Sequence, residues 1–393
     1  MAMVPRRVYF DNGASTRVDP RVVGEMQPYF SETYGNPSSL HAFGREAKEA
    51  LDSSRGRLAS CINAKSDELV FTSGGTESNN LAIKGVAYAN AKKGRHVIVS
   101  SIEHDCIINS CEWLREQGFD VTFLPVDEYG LVEVDRVESS IRKDTTLVSV
   151  MHANNEIGTI EPIADIGKVC RERGVYFHTD ACQSFGKLPI DADKQYADLI
   201  TINAHKIYGP KGVGALFIRE GVRILPWQHG GGHEFGLRSS TENIPGIVGF
   251  AKAAELCRDE MEMEKIRLTG LRDRLIREVK ERIERAYLNG HKELRLPNNA
   301  NFGFHGLEGE AIRVQLELDE LGIAVSTGSA CSSNQVGNKP SHVLLAIGLN
   351  PVEARGALRI TLGRYNTGEE IDYFLECLPK TVGSLRSISS VTL

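Results

Sequence analysis

Residues 199–218 read LITINAHKIYGPKGVGALFI, two apolar runs that enclose a polar loop. The runs Leu199–Ile202 and Gly214–Ile218 are rich in Ile, Leu and Phe, which is typical of β-strands covered on both faces. Between them lie His205 and Lys206, followed by a Gly-Pro turn. This stretch predicts a polar loop at the end of a buried strand.

The same alternation of short apolar run, polar loop and helical stretch extends over residues 69–220. It predicts an α/β fold whose mostly parallel sheet carries helices on both sides. A charged helical pattern, Ala251–Tyr287, follows, and it predicts a domain boundary near residue 260. The other predicted strands are Leu69–Thr72, Val97–Ser100, Val121–Leu124, Leu147–Met151 and Val175–His178.

Composition excludes several classes of protein. The net charge of -6 and the absence of a basic run argue against direct nucleic-acid binding. No apolar window of about 18 residues predicts a membrane span, and no apolar stretch of signal-peptide length follows the first two arginines. The eight cysteines form no CxxC pair, so we expect neither a metal site nor disulfides. We expect a cytoplasmic protein with reduced thiols.

Polar residues follow the predicted strands one after another. Ligands of open parallel sheets bind beyond the carboxyl ends of the strands, so these residues are candidates for one site. The turn SGGTE after the first strand could hold a phosphate, although it matches neither GxGxxG nor GxxxxGK[ST]. The other candidates are His104, Asn154, Asn155, Asp180, Gln183, Asn203, His205 and Lys206.

Together these residues fit the requirements of pyridoxal phosphate. The cofactor needs a lysine to hold it covalently, a carboxylate for its ring nitrogen, phosphate donors and a planar group to stack on the ring. Lys206, Asp180, the Gly75–Thr76 turn and His104 could fill these four roles. Asp180 and Lys206 are 26 residues apart, a spacing that spans one helix and one strand and places both at one sheet edge.

The sequence resembles the cysteine desulfurases of the IscS/NifS type over nearly its whole length. The resemblance implies fold type I of pyridoxal-phosphate enzymes, with a seven-stranded large domain, 16–260, and a smaller α+β domain, 1–15 plus 261–393. It rests on YFDNGAST, YGNPSSLHAFG, FTSGGTESNN, EHDC, NNEIGTI, HTDACQS, NAHKIYGPKG, GGGHEFGLRSSTENI, STGSACSS, KPSHVLLAIGL and ALRITLGRYNT.

The resemblance also implies roles for single residues. Arg359 would bind the substrate carboxylate, for which a planar guanidinium is suited, and Asn155 would lie beside the cofactor. His104 would stack on the ring and move protons, and Thr241 would come from the second subunit of a homodimer. The implied cofactor-binding residues are Gly75, Thr76, His104, Asn155, Asp180, Gln183, Asn203, His205, Lys206 and Thr241.

Cys331 lies in STGSACSS, among small polar residues, whereas a structural cysteine usually has large apolar neighbours. We expect an exposed, mobile loop, residues 326–337, that carries a reactive thiol. The resemblance implies that this thiol takes the sulfur of L-cysteine as a persulfide and leaves L-alanine. The sulfur would pass to an iron–sulfur scaffold protein, with Cys331 near the nascent cluster, or to an RNA-thiolation acceptor.

Two positions depart from the family pattern. Asn203 replaces the usual serine three residues before the lysine, and an amide can still donate to a phosphate. RSST, residues 238–241, replaces the commoner RSGT, which puts the conformation of the Thr241 loop in question.

The residues leave alternative functions open. An aminotransferase of the same fold would share Lys206 and Asp180 but would have no use for Cys331. A selenocysteine lyase would differ only in its preferred substrate. A non-catalytic scaffold that only binds partners would not need the set Lys206, Asp180, His104 and Cys331.

Overall fold

The computed structural model describes residues 7–328 and 339–389. Within those residues the central sheet has seven strands in the order β2-β8-β7-β6-β5-β3-β4, and β8 alone runs antiparallel to its neighbours. The strands of the chain are β1 Val8–Tyr9, β2 Leu69–Thr72, β3 His96–Ser100, β4 Asp120–Leu124, β5 Thr145–Ser149, β6 Tyr176–Asp180, β7 Leu199–Asn203, β8 Gly214–Ile218, β9 Ala286–Leu288, β10 Asn299–Phe304, β11 Ile323–Ala324 and β12 Leu358–Thr361. The predicted α/β fold with a mostly parallel sheet is confirmed.

Helices cover both faces of this sheet. Successive side chains of a strand point to opposite faces, and Leu69 and Phe71 accordingly join one apolar cluster while Val70 joins another. The helices are α1 Pro20–Met26, α2 Pro28–Ser31, α3 Ala42–Ser60, α4 Gly75–Asn80, α5 Val86–Ala89, α6 Asp105–Glu116, α7 Val134–Ser140, α8 Ile163–Glu172, α9 Ile244–Arg282, α10 Ala311–Glu320, α11 His342–Ala346 and α12 Gly368–Ser389. A π-helical turn, Leu81–Gly85, joins α4 to α5. In the part of the chain that is described, no helix is long and apolar enough to span a membrane.

The predicted strand ends were wrong in places that matter for the site. The strand predicted as Val175–His178 ends at Asp180, and β7 includes Asn203, so both side chains belong to strand ends. The strand predicted as Leu147–Met151 ends earlier, at Ser149. These strands are paired over their final residues, because backbone ladder bonds continue beyond the apolar run.

The long helix α9 begins seven residues before the predicted start. Asn243 caps it by accepting a hydrogen bond from the Gly246 amide, and Pro245 lies in its first turn. It ends at Arg282, so Tyr287 lies in β9 and not in the helix.

Helix α9 packs against two separate apolar clusters. Phe250 and Cys257 belong to the cluster beneath the central sheet, whereas Leu268 and Leu275 pack with the three-stranded sheet β12-β10-β9. The short pair β1-β11 adds Val8 to this second cluster. The domain boundary near residue 260 stays a prediction.

Candidate active site

A cavity opens at the carboxyl ends of β6 and β7. It contains nine of the twelve residues predicted as site residues, which come from six separate stretches of the sequence. Parallel strands end at one edge, so residues far apart in the chain meet there. The cavity is lined by Gly13, Ala14, Gly75, Thr76, Asn79, His104, Cys106, Asn155, Asp180, Cys182, Asn203, His205, Lys206 and Arg359.

Lys206 reaches into this cavity from the loop after β7. Its Nζ donates a hydrogen bond of 2.8 Å to the backbone oxygen of Gly13. The Gln183 amide donates to the same oxygen at 2.9 Å, and Gln183 does not line the cavity. The amino-terminal stretch therefore forms part of the wall.

Asp180 is the last residue of β6 and is buried. Its Oδ1 accepts from the Cys182 amide at 2.8 Å, and its Oδ2 accepts from Asn79 Nδ2 at 2.7 Å. These bonds orient the carboxylate from two sides. Asn79 Oδ1 is buried and has no hydrogen-bond partner among the described residues.

The start of α4 forms a cradle of small residues. A Cβ added to Gly75 would lie 2.7 Å from Cys182 Sγ, so only glycine fits there. The cradle faces Asn203, whose buried Oδ1 has no hydrogen-bond partner in residues 7–328 and 339–389. A half-turn of this amide would present Nδ2 to a phosphate oxygen. Backbone amides at a helix start, together with a buried side-chain amide that can turn toward them, fit an anion.

His104 caps the start of α6. Its Nδ1 accepts from the Cys106 amide at 3.2 Å, and burial lowers the pKa of the ring. The imidazole is therefore neutral near pH 7, as a planar stacking group that exchanges protons requires. His205 behaves in the same way, since burial and the nearby Lys206 lower its pKa to about 4.

Cys106 and Cys182 also line the cavity, although their roles were not predicted. Burial raises the pKa of Cys106 to about 12, and it raises that of Cys182 well above its usual range. Both thiols are therefore protonated and are poor nucleophiles. Cys106 instead contacts His104 Nδ1 at 3.2 Å.

Arg359 lies in β12 and is 2% exposed, so it does not belong to an ordinary ion pair on the surface. Its Nη1 donates to the Asn155 backbone oxygen at 2.9 Å, and its Nη2 donates to Asp11 Oδ1 at 3.0 Å. Its Nε has no partner among the described residues. A buried guanidinium with an unused N–H in a cavity suits a carboxylate ligand.

Thr241 is exposed and does not line the cavity of its own chain. It lies in the loop 226–243, which we call the clamped loop because two ion pairs secure it. Glu234 accepts both guanidinium nitrogens of Arg55 at 2.6 Å in the interior, and Arg238 Nε donates to Glu77 at 2.7 Å. Cys331 lies outside the described residues.

In RSST, Ser240 takes the place of the glycine of the commoner RSGT, and this change affects the backbone. Ser240 has a φ of 133°, a value that favours glycine, so the residue before Thr241 is strained. This departure from the family pattern therefore strains the backbone of the clamped loop.

The residues of the cavity fit pyridoxal phosphate. Asp180 faces the site with a fixed carboxylate, Gly75 and Asn203 form an anion cradle, and Lys206 supplies an amine. Sequence reasoning named these three groups but did not assign Gly13, Ala14 or Asn79, whose only signal was membership in the quoted motifs.

Comparison with known proteins agrees with this geometry. The family model for class-V aminotransferases matches residues 8–374. The chain is 52% identical to cysteine desulfurase IscS of Dictyoglomus turgidum, with 98% of this chain and 96% of the relative covered. It is 53% identical to cysteine desulfurase IscS 1 of Archaeoglobus fulgidus, with 97% and 98% covered.

Solved structures give the same answer. A NifS-like protein superposes with a TM-score of 0.90 at 39% identity, covering 96% of this chain and all of the other. SspA in complex with cysteine gives a TM-score of 0.80 at 39% identity, covering 92% of this chain and all of the other. The chain belongs to the class-V aminotransferase family, among the cysteine desulfurases of the IscS type.

Proposed function

We propose that this cysteine desulfurase binds pyridoxal phosphate through Lys206, takes the sulfur of L-cysteine onto Cys331 and releases L-alanine. The observation that carries the proposal is the meeting of an amine, a fixed carboxylate, a neutral histidine and a buried guanidinium in one cavity. The groups are Lys206, Asp180, His104 and Arg359.

The chain's own residues bind and orient the reactants. Arg359 holds the substrate carboxylate through its unused Nε, and Asn155 lies against it. Gly75, Thr76, Asn203 and His205 line the same cavity and would surround the phosphate. When bound, pyridoxal phosphate supplies an electron sink that lets the substrate Cα lose its proton.

Protons move between Lys206 and His104. The amine of Lys206 takes the Cα proton of the substrate, holds it, and returns it to Cα before alanine leaves. His104, neutral because burial lowers its pKa, accepts and returns the proton of the substrate thiol. Asn79 and the Cys182 amide hold the Asp180 carboxylate in place, and it would face the ring nitrogen of the bound cofactor.

The sulfur step balances without an external oxidant. The Cys331 thiolate attacks the substrate sulfur, so a sulfur–sulfur bond forms while the carbon–sulfur bond breaks. The electron pair of the broken bond stays on carbon, which takes up the proton that the Cys331 thiol gave up and becomes the methyl group of alanine. Cysteine and a protein thiol thus become alanine and a protein persulfide.

The exposed surface supports a homodimer. Four apolar side chains of residues 30–43 and one of the clamped loop face solvent, and such a patch marks a protein interface. Thr241 projects from the same loop and in a dimer would reach the partner's phosphate. The exposed side chains are Phe30 at 66%, Tyr34 at 64%, Leu40 at 92%, Phe43 at 50% and Phe235 at 59%.

The acceptor of the persulfide is an iron–sulfur scaffold protein or another thiolation protein, and the reaction takes place in the cytoplasm. The similarity to enzymes named IscS supports this assignment. A carrier thiol three residues beyond Gly328 suits delivery to a second protein.

The test is the release of sulfide and alanine from L-cysteine and a reductant by the purified holoenzyme. We expect equal amounts from the wild type and less than about 1% from Cys331→Ser, because the nucleophile is lost. Cys61→Ser, a half-buried thiol that does not line the cavity, is the matched control and retains activity.

Normal sulfide release by Cys331→Ser would end the proposed role of this thiol. Bound cofactor without sulfide release, together with amino transfer to a 2-keto acid, would instead identify an aminotransferase.

A further inference from the structure

A second lysine lies close to the cavity, in the turn that follows β6. Lys187 Nζ donates hydrogen bonds to the backbone oxygens of Gln183, at 2.8 Å, and of Lys206, at 3.3 Å. Lys187 does not line the cavity itself. One ammonium group therefore joins the backbones of two residues that were predicted for the site.

The side chains of the same two residues also meet, at a single oxygen atom. Lys206 Nζ and Gln183 Nε2 donate to the backbone oxygen of Gly13 at 2.8 and 2.9 Å. Gln183 and Lys206 are thus joined twice, by their backbones through Lys187 and by their side chains through Gly13. Such paired contacts limit the directions in which the Lys206 side chain can leave its backbone, and a reacting amine depends on that direction.

Contacts from the amino-terminal stretch hold the neighbours of Lys206. The Thr16 N–H and Oγ1 donate to the backbone oxygen of His205 at 2.8 and 2.9 Å. Thr16 Oγ1 also accepts from the Tyr208 N–H at 2.8 Å. The backbone oxygen of Lys206 lies between these two positions in the chain, and Lys187 bonds to it. Lys187 therefore adds a contact at the residue that carries the amine.

The surroundings of Lys187 do not favour a charge. Its side chain is partly buried, and both acceptors of Nζ are neutral backbone oxygens. Burial, together with the nearby charge of Lys206, lowers the pKa of the Lys187 amine to about 8, so the amine still carries its proton at pH 7. A methionine would fill the same space without the cost of burying a charge. Packing alone therefore does not account for a lysine here, whereas its hydrogen bonds do.

We propose that Lys187 is a positioning residue for Lys206. Its ammonium group fixes the backbone from which the Lys206 side chain projects, at a set distance from Gln183. The inference rests on the proposed role of Lys206 in holding pyridoxal phosphate. Lys187 acts through Lys206, because it does not line the cavity in which the cofactor would lie.

The test measures cofactor capture by the full-length protein after its cofactor has been removed with hydroxylamine and its fold verified by circular dichroism. Pyridoxal phosphate is added, its covalent attachment is trapped with borohydride, and the modified lysine is located by peptide mass. We expect attachment to Lys206 to be about tenfold slower in Lys187→Met. This factor corresponds to about 1.4 kcal/mol, near the lower end for a hydrogen bond from a charged donor.

A second probe separates the direction of the amine from the shape of the cavity. Deoxypyridoxine phosphate carries a methyl group in place of the aldehyde, so it cannot attach to a lysine. Its affinity for Lys187→Met should remain within about twofold of the wild type, because Gly75 and Asp180 are unchanged. An equal loss with both probes would overturn the proposal, since the defect would then lie in the cavity as a whole.

Two further variants separate hydrogen bonding from charge. Lys187→Arg keeps a charged donor and should attach pyridoxal phosphate within about threefold of the wild-type rate. Lys211 is exposed, and its charge lowers the pKa of His205, as that of Lys187 also does, after the larger effect of burial. Lys211→Met is therefore the matched control for lost charge and should attach the cofactor at the wild-type rate.

Attachment at the wild-type rate in Lys187→Met would overturn the proposal. A defect of equal size in Lys211→Met would overturn it too, because charge and not the bond to the Lys206 backbone would then be responsible. Attachment of pyridoxal phosphate to a lysine other than Lys206 in the wild type would instead refute the proposed function itself.

Discussion

The cavity and the clamped loop are built in opposite ways. Much of the cavity wall consists of strand ends, whose side chains are placed by backbone ladders and by hydrogen bonds from amides, such as those that orient Asp180. The clamped loop has no strand to follow and is secured by ionic side chains, with Arg55 and Glu234 paired in the interior. A sheet edge places residues by topology, whereas a loop of this kind depends on a few named contacts.

Among the changes that test this contrast, removal of Arg55 should have the largest effect on stability. Arg55→Met leaves Glu234 buried without its cation, and we expect the free energy of unfolding to fall by about 3–5 kcal/mol. Limited proteolysis should cut the clamped loop first. Denaturant unfolding of the holoenzyme measures the loss.

Lys48→Met on the same helix α3 is the control for Arg55→Met. Lys48 pairs with Asp52 on the exposed surface, so its loss should change the free energy of unfolding by less than about 1 kcal/mol. Equal effects of the two variants would show that the interior pair does not secure the loop.

Acid should destabilise the central sheet, because a buried histidine must take up a proton when the chain unfolds. His178 in β6 lies between Ser149 of β5 and Thr201 of β7, at 2.8 and 3.0 Å, and burial lowers its pKa to about 4. The unfolded chain binds this proton near pH 6.5, so the stability is complete above pH 6.5 and falls as the pH drops toward 4. The loss is about 3 kcal/mol for this histidine.

Unfolding at pH 7 and pH 4.5 measures this dependence. His178→Gln should be less stable at pH 7 but should lose less stability between the two values than the wild type does. His305→Gln, at a side chain that is 41% exposed, should leave the dependence unchanged. An unchanged dependence in His178→Gln would show that the sheet is not where acid acts.

The smallest effect concerns the strained residue of the clamped loop. Ser240→Gly removes the strain at a φ of 133°, and we expect a gain of about 1 kcal/mol in the free energy of unfolding. Gly232→Ala is a matched change in the same loop at a site with open space, and it should be neutral. A loss of stability in Ser240→Gly would mean that the hydroxyl group matters more than the backbone.

The contrast between residues placed by a sheet edge and residues placed by single contacts also explains which parts of the site could be predicted from the sequence. Asp180, Asn203 and Lys206 follow apolar runs, and the rule for parallel sheets places them at one edge. Gly13 and Asn79 could not be assigned in this way, because their positions come from side-chain contacts over long separations. For α9, by contrast, Asn243 and Pro245 were a readable start signal that the charged pattern obscured.

Residues next to Cys331 show a further limit. The small polar residues of STGSACSS indicate a reactive thiol, but they do not reveal that Glu156 meets Gly328 and Ser341. Such a contact joins residues 185 positions apart, and no local pattern encodes it.

The wall that meets Lys206 has a consequence for the order of events during synthesis. Gly13 presents its oxygen to Lys206, yet its own amide is held by Thr361 Oγ1 at 2.7 Å, and β1 pairs with β11. Contacts between such distant residues form late, because a long loop must close first. The nascent chain therefore cannot complete this wall until Thr361 has left the ribosome.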